Sequence, residues 1–86
     1  MSPVDYALSK HAQDVIARRN IPESWIREVL ERPAVTESDD CDPELEHRLG
    51  RIAEYQNRVL RVVINGHVSP VRVVTAYFDR KVRRRL

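Results

Sequence analysis

R58-V-L-R-V-V-I-N65 and V71-R-V-V-T-A-Y-F78, joined by Gly66, His67, Val68, Ser69 and Pro70, decide the fold. Both runs are rich in β-branched and aromatic residues, and Asn65-Gly66 with Pro70 marks a reversal between them, so an antiparallel hairpin is expected. Successive side chains of a strand point to opposite sides. In the first run Leu60, Val62 and Ile64 make a wholly apolar face, while Val59, Arg61, Val63 and Asn65 make a mixed one. The apolar face is assigned to the core and is continued on the second run by Val74, Ala76 and Phe78. Arg61, Thr75 and Tyr77 then share the opposite face, a placement that a one-residue slip of register would reverse.

Upstream of this hairpin, H47-R-L-G-R-I-A-E-Y55 is strand-like but interrupted by Gly50, which reads as a bulge or a point of close approach, and Gln56-Asn57 supplies a tight turn into Arg58. Residues 34–46 form an acidic connection broken by Pro43, with a brief extended piece over Ala34 to Thr36. Before it, Trp25, Ile26, Val29 and Leu30 recur at helical spacing between Pro22, read as the first helical position, and Pro33, which stops the helix. Ser9 offers an N-cap to an earlier helix with Ala12, Val15 and Ile16 on its apolar stripe, running to Arg19. Asp5 to Leu8 reads as a short first strand. The expectation is an α+β protein in which an N-terminal helical hairpin packs on a small antiparallel β-sheet of three meandering strands.

Eighty-six residues make a single domain, 1–86, able to bury only about 60 to 65 % of its unfolded surface. A composition 42 % hydrophobic and 33 % charged excludes a disordered or fibrous chain. The longest aliphatic run is Val62-Val63-Ile64, which excludes a helical membrane span, and Met1 to Lys10 lacks the pattern of a secretory signal. Cys41 is the single cysteine, so a reducing, cytoplasmic setting is expected. It lies among Glu37, Asp39, Asp40, Asp42, Glu44, Glu46 and His47. These carboxylates lack the spacing of a calcium loop, and one Cys with one His is too few for zinc, so the segment reads as a solvated acidic loop with no metal. No cofactor motif is present.

The net charge of +2 conceals an asymmetry. Residues 1–46 carry 11 acids and 5 bases, a balance of −6, and residues 47–86 carry 2 acids and 10 bases, a balance of +8. The cations are Arg48, Arg51, Arg58, Arg61 and Arg72 on expected strands, then the tail 80–86 with Arg80, Lys81, Arg83, Arg84 and Arg85. Such clustering suits a phosphate-binding surface, because each cation that meets a phosphate releases condensed counterions. A solubilising tail, docked on the acidic loop, is the competing reading.

The pattern S9-K-H-A-x-x-x-x-A-R-R-N-I-P-x-S-W-I-x-x-V-L-x-x-P33, followed by V73-V-T-A-Y77, resembles the small prokaryotic proteins grouped as domain of unknown function 4258 (DUF4258), which are placed near the RelE/ParE-like toxin superfamily. The resemblance implies a RelE-like fold, with the helical hairpin on one face of a curved antiparallel sheet. It also implies relatives of two kinds, metal-independent ribonucleases and gyrase-directed toxins. Departing from the RelE-like pattern, the terminal segment here is almost wholly cationic and lysine is scarce.

A metal-free ribonuclease needs a base for the 2′-hydroxyl, a cation for the charged phosphorane and an acid for the departing 5′-oxygen. His11 is the acid/base candidate, against an anchoring role at the helix start. Arg61 and Arg51 are candidates to bracket a phosphate, Tyr77 to stack a base or donate its hydroxyl, and Thr75 to bond a phosphate oxygen. Arg61 stands out, since an arginine within a Val/Ile-rich strand is costly unless it is paired or opens to a cleft. Arg80, Lys81, Arg83 and Arg84 complete the phosphate-binding set. The expected function is RNA binding, with toxin-type ribonuclease activity as its sharpest form. The alternatives are a non-catalytic module that binds an antitoxin or another protein, as a monomer or a homodimer, and a plain nucleic-acid-binding domain without turnover.

Overall fold

The computed structural model describes residues 5–82. The chain runs β1 (Tyr6–Leu8), α1 (Lys10–Arg18), α2 (Glu23–Glu31), β2 (Val35–Ser38), β3 (Leu45–Ile52), a 3₁₀ turn (Ala53–Tyr55), β4 (Arg58–Asn65) and β5 (Val71–Phe78). The strands form one five-stranded sheet in the order β1-β5-β4-β3-β2. The fold is α+β, but the sheet is mixed: β1 pairs parallel with β5, with Leu8 opposite Val73, while the other neighbours are antiparallel. The expected three-stranded antiparallel meander is therefore its central part, extended by one short strand on each side.

Each helix is set by its ends. Ser9 is extended and its Oγ accepts from Ala12 N at 3.0 Å, which caps α1. After α1 the backbone of Asn20 turns left-handed (φ 55°), and Ile21 N donates back to Ile16 O at 3.0 Å. This closure satisfies a terminal carbonyl and turns the Ile21 side chain, 4 % exposed, into the core. Pro22 precedes α2 as its cap residue rather than opening it. The helices do not pack as one hairpin unit: α1 rests on β1 and β5, and α2 on β3 and β4.

Both helices cover the same side of the sheet. Ala12, Ile21, Ile26, Val29 and Leu30 meet Ile52, Leu60, Val62, Ile64, Val73 and Ala76 in one apolar cluster. Leu60, Val62 and Ile64 thus face the core as their alternation requires. On β5 the core residue is Val73, not Val74, because the register shifts between Val63, opposite Thr75, and Ile64, opposite Val73. Val74 is the extra residue of a bulge, which displaces the alternation by one. Gly50 is no bulge: β3 pairs with β4 without interruption from Leu45 to Ile52. It is a close approach, since a Cβ there would lie 3.4 Å from Val29 Cγ2 under α2.

Candidate nucleic-acid interface

The side of the sheet away from the helices carries Val35 and Glu37 on β2, His47, Leu49 and Arg51 on β3, Val59, Arg61 and Val63 on β4, and Thr75 and Tyr77 on β5, all joined by cross-strand register. Beyond β5 the chain folds back across this side. Asp79 N donates to Val59 O at 2.9 Å, and Val82, 4 % exposed, packs on Leu49 and Val59 in a second, smaller apolar cluster beside Val35. Residues 79–82 thus form a strap over part of the sheet.

Arg61 lies beneath the strap with its side chain only 11 % exposed. Its Nε and Nη2 both reach Asp79 Oδ2 at 2.8 Å, and its Nη1 reaches Glu37 Oε1 at 3.4 Å and His47 Nδ1 at 2.8 Å. A guanidinium has donors only, so His47 Nδ1 accepts, and the ring proton on Nε2 donates to Asp39 Oδ1 at 2.6 Å. Asp39 Oδ2 accepts from the N–H groups of Asp42 and Cys41. The Asp42 N–H, the His47 ring and the Cys41 N–H, in that order, hold the Asp39 carboxyl below its ordinary range. For Asp79 burial pushes upward, but the Lys81 N–H and the Arg61 guanidinium outweigh it, so this carboxyl too is held low. Glu37, Ser38, Asp39, Asp40, His47 and Arg61 line a recess of about 230 Å³. Three carboxylates against one guanidinium make that recess anionic and unsuited to a phosphate. The acidic segment is therefore not simply solvated, since Asp39 is tied into the sheet through His47.

A cationic concavity opens beside the strap. Arg58, Val59, Phe78, Asp79 and Arg80 line a groove of about 410 Å³. Two guanidiniums face one carboxylate there, and that carboxylate already pairs with Arg61. The Arg58 guanidinium sits 4.7 Å over the Tyr55 ring and donates to Tyr55 Oη and Gln56 Oε1. Tyr55 stacks on Trp25 with centroids 5.5 Å apart and lies 4.9 Å from Phe78, while Trp25 Nε1 donates to Glu54 Oε2. Left-handed backbone at Gln56 and Asn57 turns the chain sharply enough to bring Tyr55 and Arg58 together. The result is a pair of arginines on an apolar floor beside an aromatic cluster, an arrangement that can bind phosphate.

The family described as Domain of unknown function (DUF4258) matches residues 8–78. The chain belongs to this family. No curated protein and no solved structure is found to match it. The matched segment of this DUF4258 protein runs from the end of β1 to the end of β5, and so includes Arg58, Arg61 and His47 but not the strap.

Among the residues singled out from sequence, Arg51, Arg61, Thr75 and Tyr77 do share one side of the sheet. They do not form a phosphate clamp: Arg51 Nη1 donates to Asn57 O at 2.8 Å, and Arg61 is engaged by Asp79, Glu37 and His47. His11 is exposed on α1, in the helical layer on the opposite side of the sheet from Arg61. Arg80 and Lys81 are exposed on the strap, and Arg83 and Arg84 lie outside the described residues. Sequence reading passed over Arg58 as a site residue, the aromatic trio, and the partners Asp39, His47, Glu37 and Asp79. Arg61 itself was the available signal, because a strand arginine that needs a partner faces a chain whose acids are concentrated in residues 37–46. Among the described residues no three His, Cys, Asp or Glu groups converge as a metal site.

Proposed function

We propose that this DUF4258 protein binds RNA through the groove between Arg58 and Arg80. The observation that supports it is the pairing of these two cations across an apolar floor, next to the exposed Tyr55, in a segment whose sequence goes on with further cations after Arg80. Guanidiniums meet phosphates bidentately, and a guanidinium plane such as that of Arg58, which lies on Tyr55, also stacks bases, so the combination suits a single strand without sequence reading. We place the chain among RelE/ParE-like proteins on the resemblance of its helical segment and its β5 motif. A metal-independent toxin-type ribonuclease is the finer form of the proposal.

The test is RNA affinity as a function of salt, with cleavage followed in chelator. Each phosphate contact to a single strand contributes about 0.7 to the slope of log K against log salt. Arg58→Gln and Arg80→Gln are each expected to lower that slope by about this amount. Cleavage by the wild type would extend the reading to a nuclease. Absence of RNA affinity at low salt, or an affinity indifferent to both substitutions, would overturn it.

A further inference from the structure

One wall of the groove is the strap, and the strap is held from the sheet beneath it by Arg61. Asp79 belongs to both: it lines the groove, and its Oδ2 takes Nε and Nη2 of Arg61 while its Oδ1 takes Lys81 N at 2.9 Å. Arg61 is in turn oriented by His47 Nδ1, and His47 by Asp39, so a chain of polar contacts runs from the acidic loop to the residue preceding Arg80. We propose that Arg61 is a positioning residue for RNA binding, clamping Asp79 so that the 79–82 segment sets Arg80 opposite Arg58 across the groove. This rests on the RNA-binding reading of the groove. It assigns Arg61 no contact with RNA, in keeping with a side chain 11 % exposed whose Nε, Nη1 and Nη2 all have partners. The other attachments of the strap, Asp79 N to Val59 O and Val82 on Leu49 and Val59, hold its ends without orienting the Asp79 side chain.

The sign of one substitution decides the matter. Removing a carboxylate from a groove that receives a polyanion tightens binding on charge alone. The clamp requires the reverse. Anisotropy with a labelled single-stranded RNA oligonucleotide is expected to show Asp79→Asn binding about tenfold more weakly than wild type, Arg61→Gln matching it, and the double variant no worse than either single one. Tighter binding by Asp79→Asn, or losses that add in the double variant, would refute the proposal. Asp79→Asn is nearly isosteric and carries the test alone should Arg61→Gln fail to fold. Hydrogen exchange in the free protein reads the clamp without RNA. The amides of residues 79–82 should exchange faster in both variants while those of β4 and β5 keep their protection. A wild type with no RNA affinity overturns the RNA reading and the positioning role with it, leaving exchange to report the clamp alone. Unchanged exchange at 79–82, in a protein that does bind RNA, overturns the clamp alone.

Discussion

The two sides of this sheet are built from different forces. On the helix side, Ile52, Leu60, Val62, Ile64, Val73 and Ala76 meet Ala12, Ile26, Val29 and Leu30 with no charged group among them. On the strap side, Leu49, Val59 and Val82 make, among the described residues, a smaller cluster of three buried side chains, and beside it lie Arg61 and its partners Asp79, Glu37 and His47. The helix side follows area: the more apolar surface it covers, the more it stabilises, and direction matters little. The strap side follows direction, since charges withdrawn from water repay their desolvation only when each donor meets its acceptor. One side supplies the bulk of the stability, and the other specifies where a short segment lies.

That contrast can be broken in graded steps. Leu60→Ala, at a fully buried position under the helices, should have the largest effect, about 3 kcal/mol lost in urea unfolding. A loss under 1 kcal/mol would mean that the helix side is not the main core. Arg61→Met comes next, at about 2 kcal/mol, because Asp79 and Glu37 lose their counter-ion while only partly open to water. Adding Asp79→Leu to it should restore part of the loss, whereas no recovery would show that the strap side depends on the ion pair itself rather than on fill.

The smallest effect is confined to acid. The folded-state pKa of Asp79 lies below its unfolded value. Its contribution is therefore complete above about pH 4, the ordinary aspartate range, and is lost as the pH falls through the lowered folded value. In Asp79→Asn the decline of stability below about pH 4 should be shallower than in wild type. Identical acid limbs in thermal unfolding would show that the Arg61 pair is not felt.

The same contrast explains what could be read in advance. The β4–β5 hairpin, the Ser9 cap and the apolar stripes of both helices are local signals, carried by alternation, by a hydroxyl at a helix start and by 3.6-residue spacing. The core residues Leu60, Val62 and Ile64 follow from them. The bulge at Val74 carries no such mark, so Val73 took its place in the core unannounced. The partners of Arg61 are separated from it by 14, 18 and 24 residues, and nothing in the stretches between says which acid will close on it. Residue type announced that Arg61 needed a partner, and only the fold supplied the identity. The groove was missed for the same reason: Arg58 was counted as one cation among many until Gln56 and Asn57 turned it onto Tyr55 and Arg80 came round from beyond β5.

The parallel pairing of β1 with β5 has a consequence for the order in which the molecule can assemble. Ser9 Oγ reaches Val74 O across 65 residues of chain, and Ser9 N is bonded to Val73 O. As the chain is made, β1 must wait for β5 before it has a neighbour, and α1, which rests on those same two strands, waits with it. Contacts of such separation slow folding, because the loop must close before they contribute. During synthesis the α1 stripe of Ala12 and Val15 stays uncovered until residues 71–78 are free to pair, and over that interval it is an exposed apolar surface prone to aggregation.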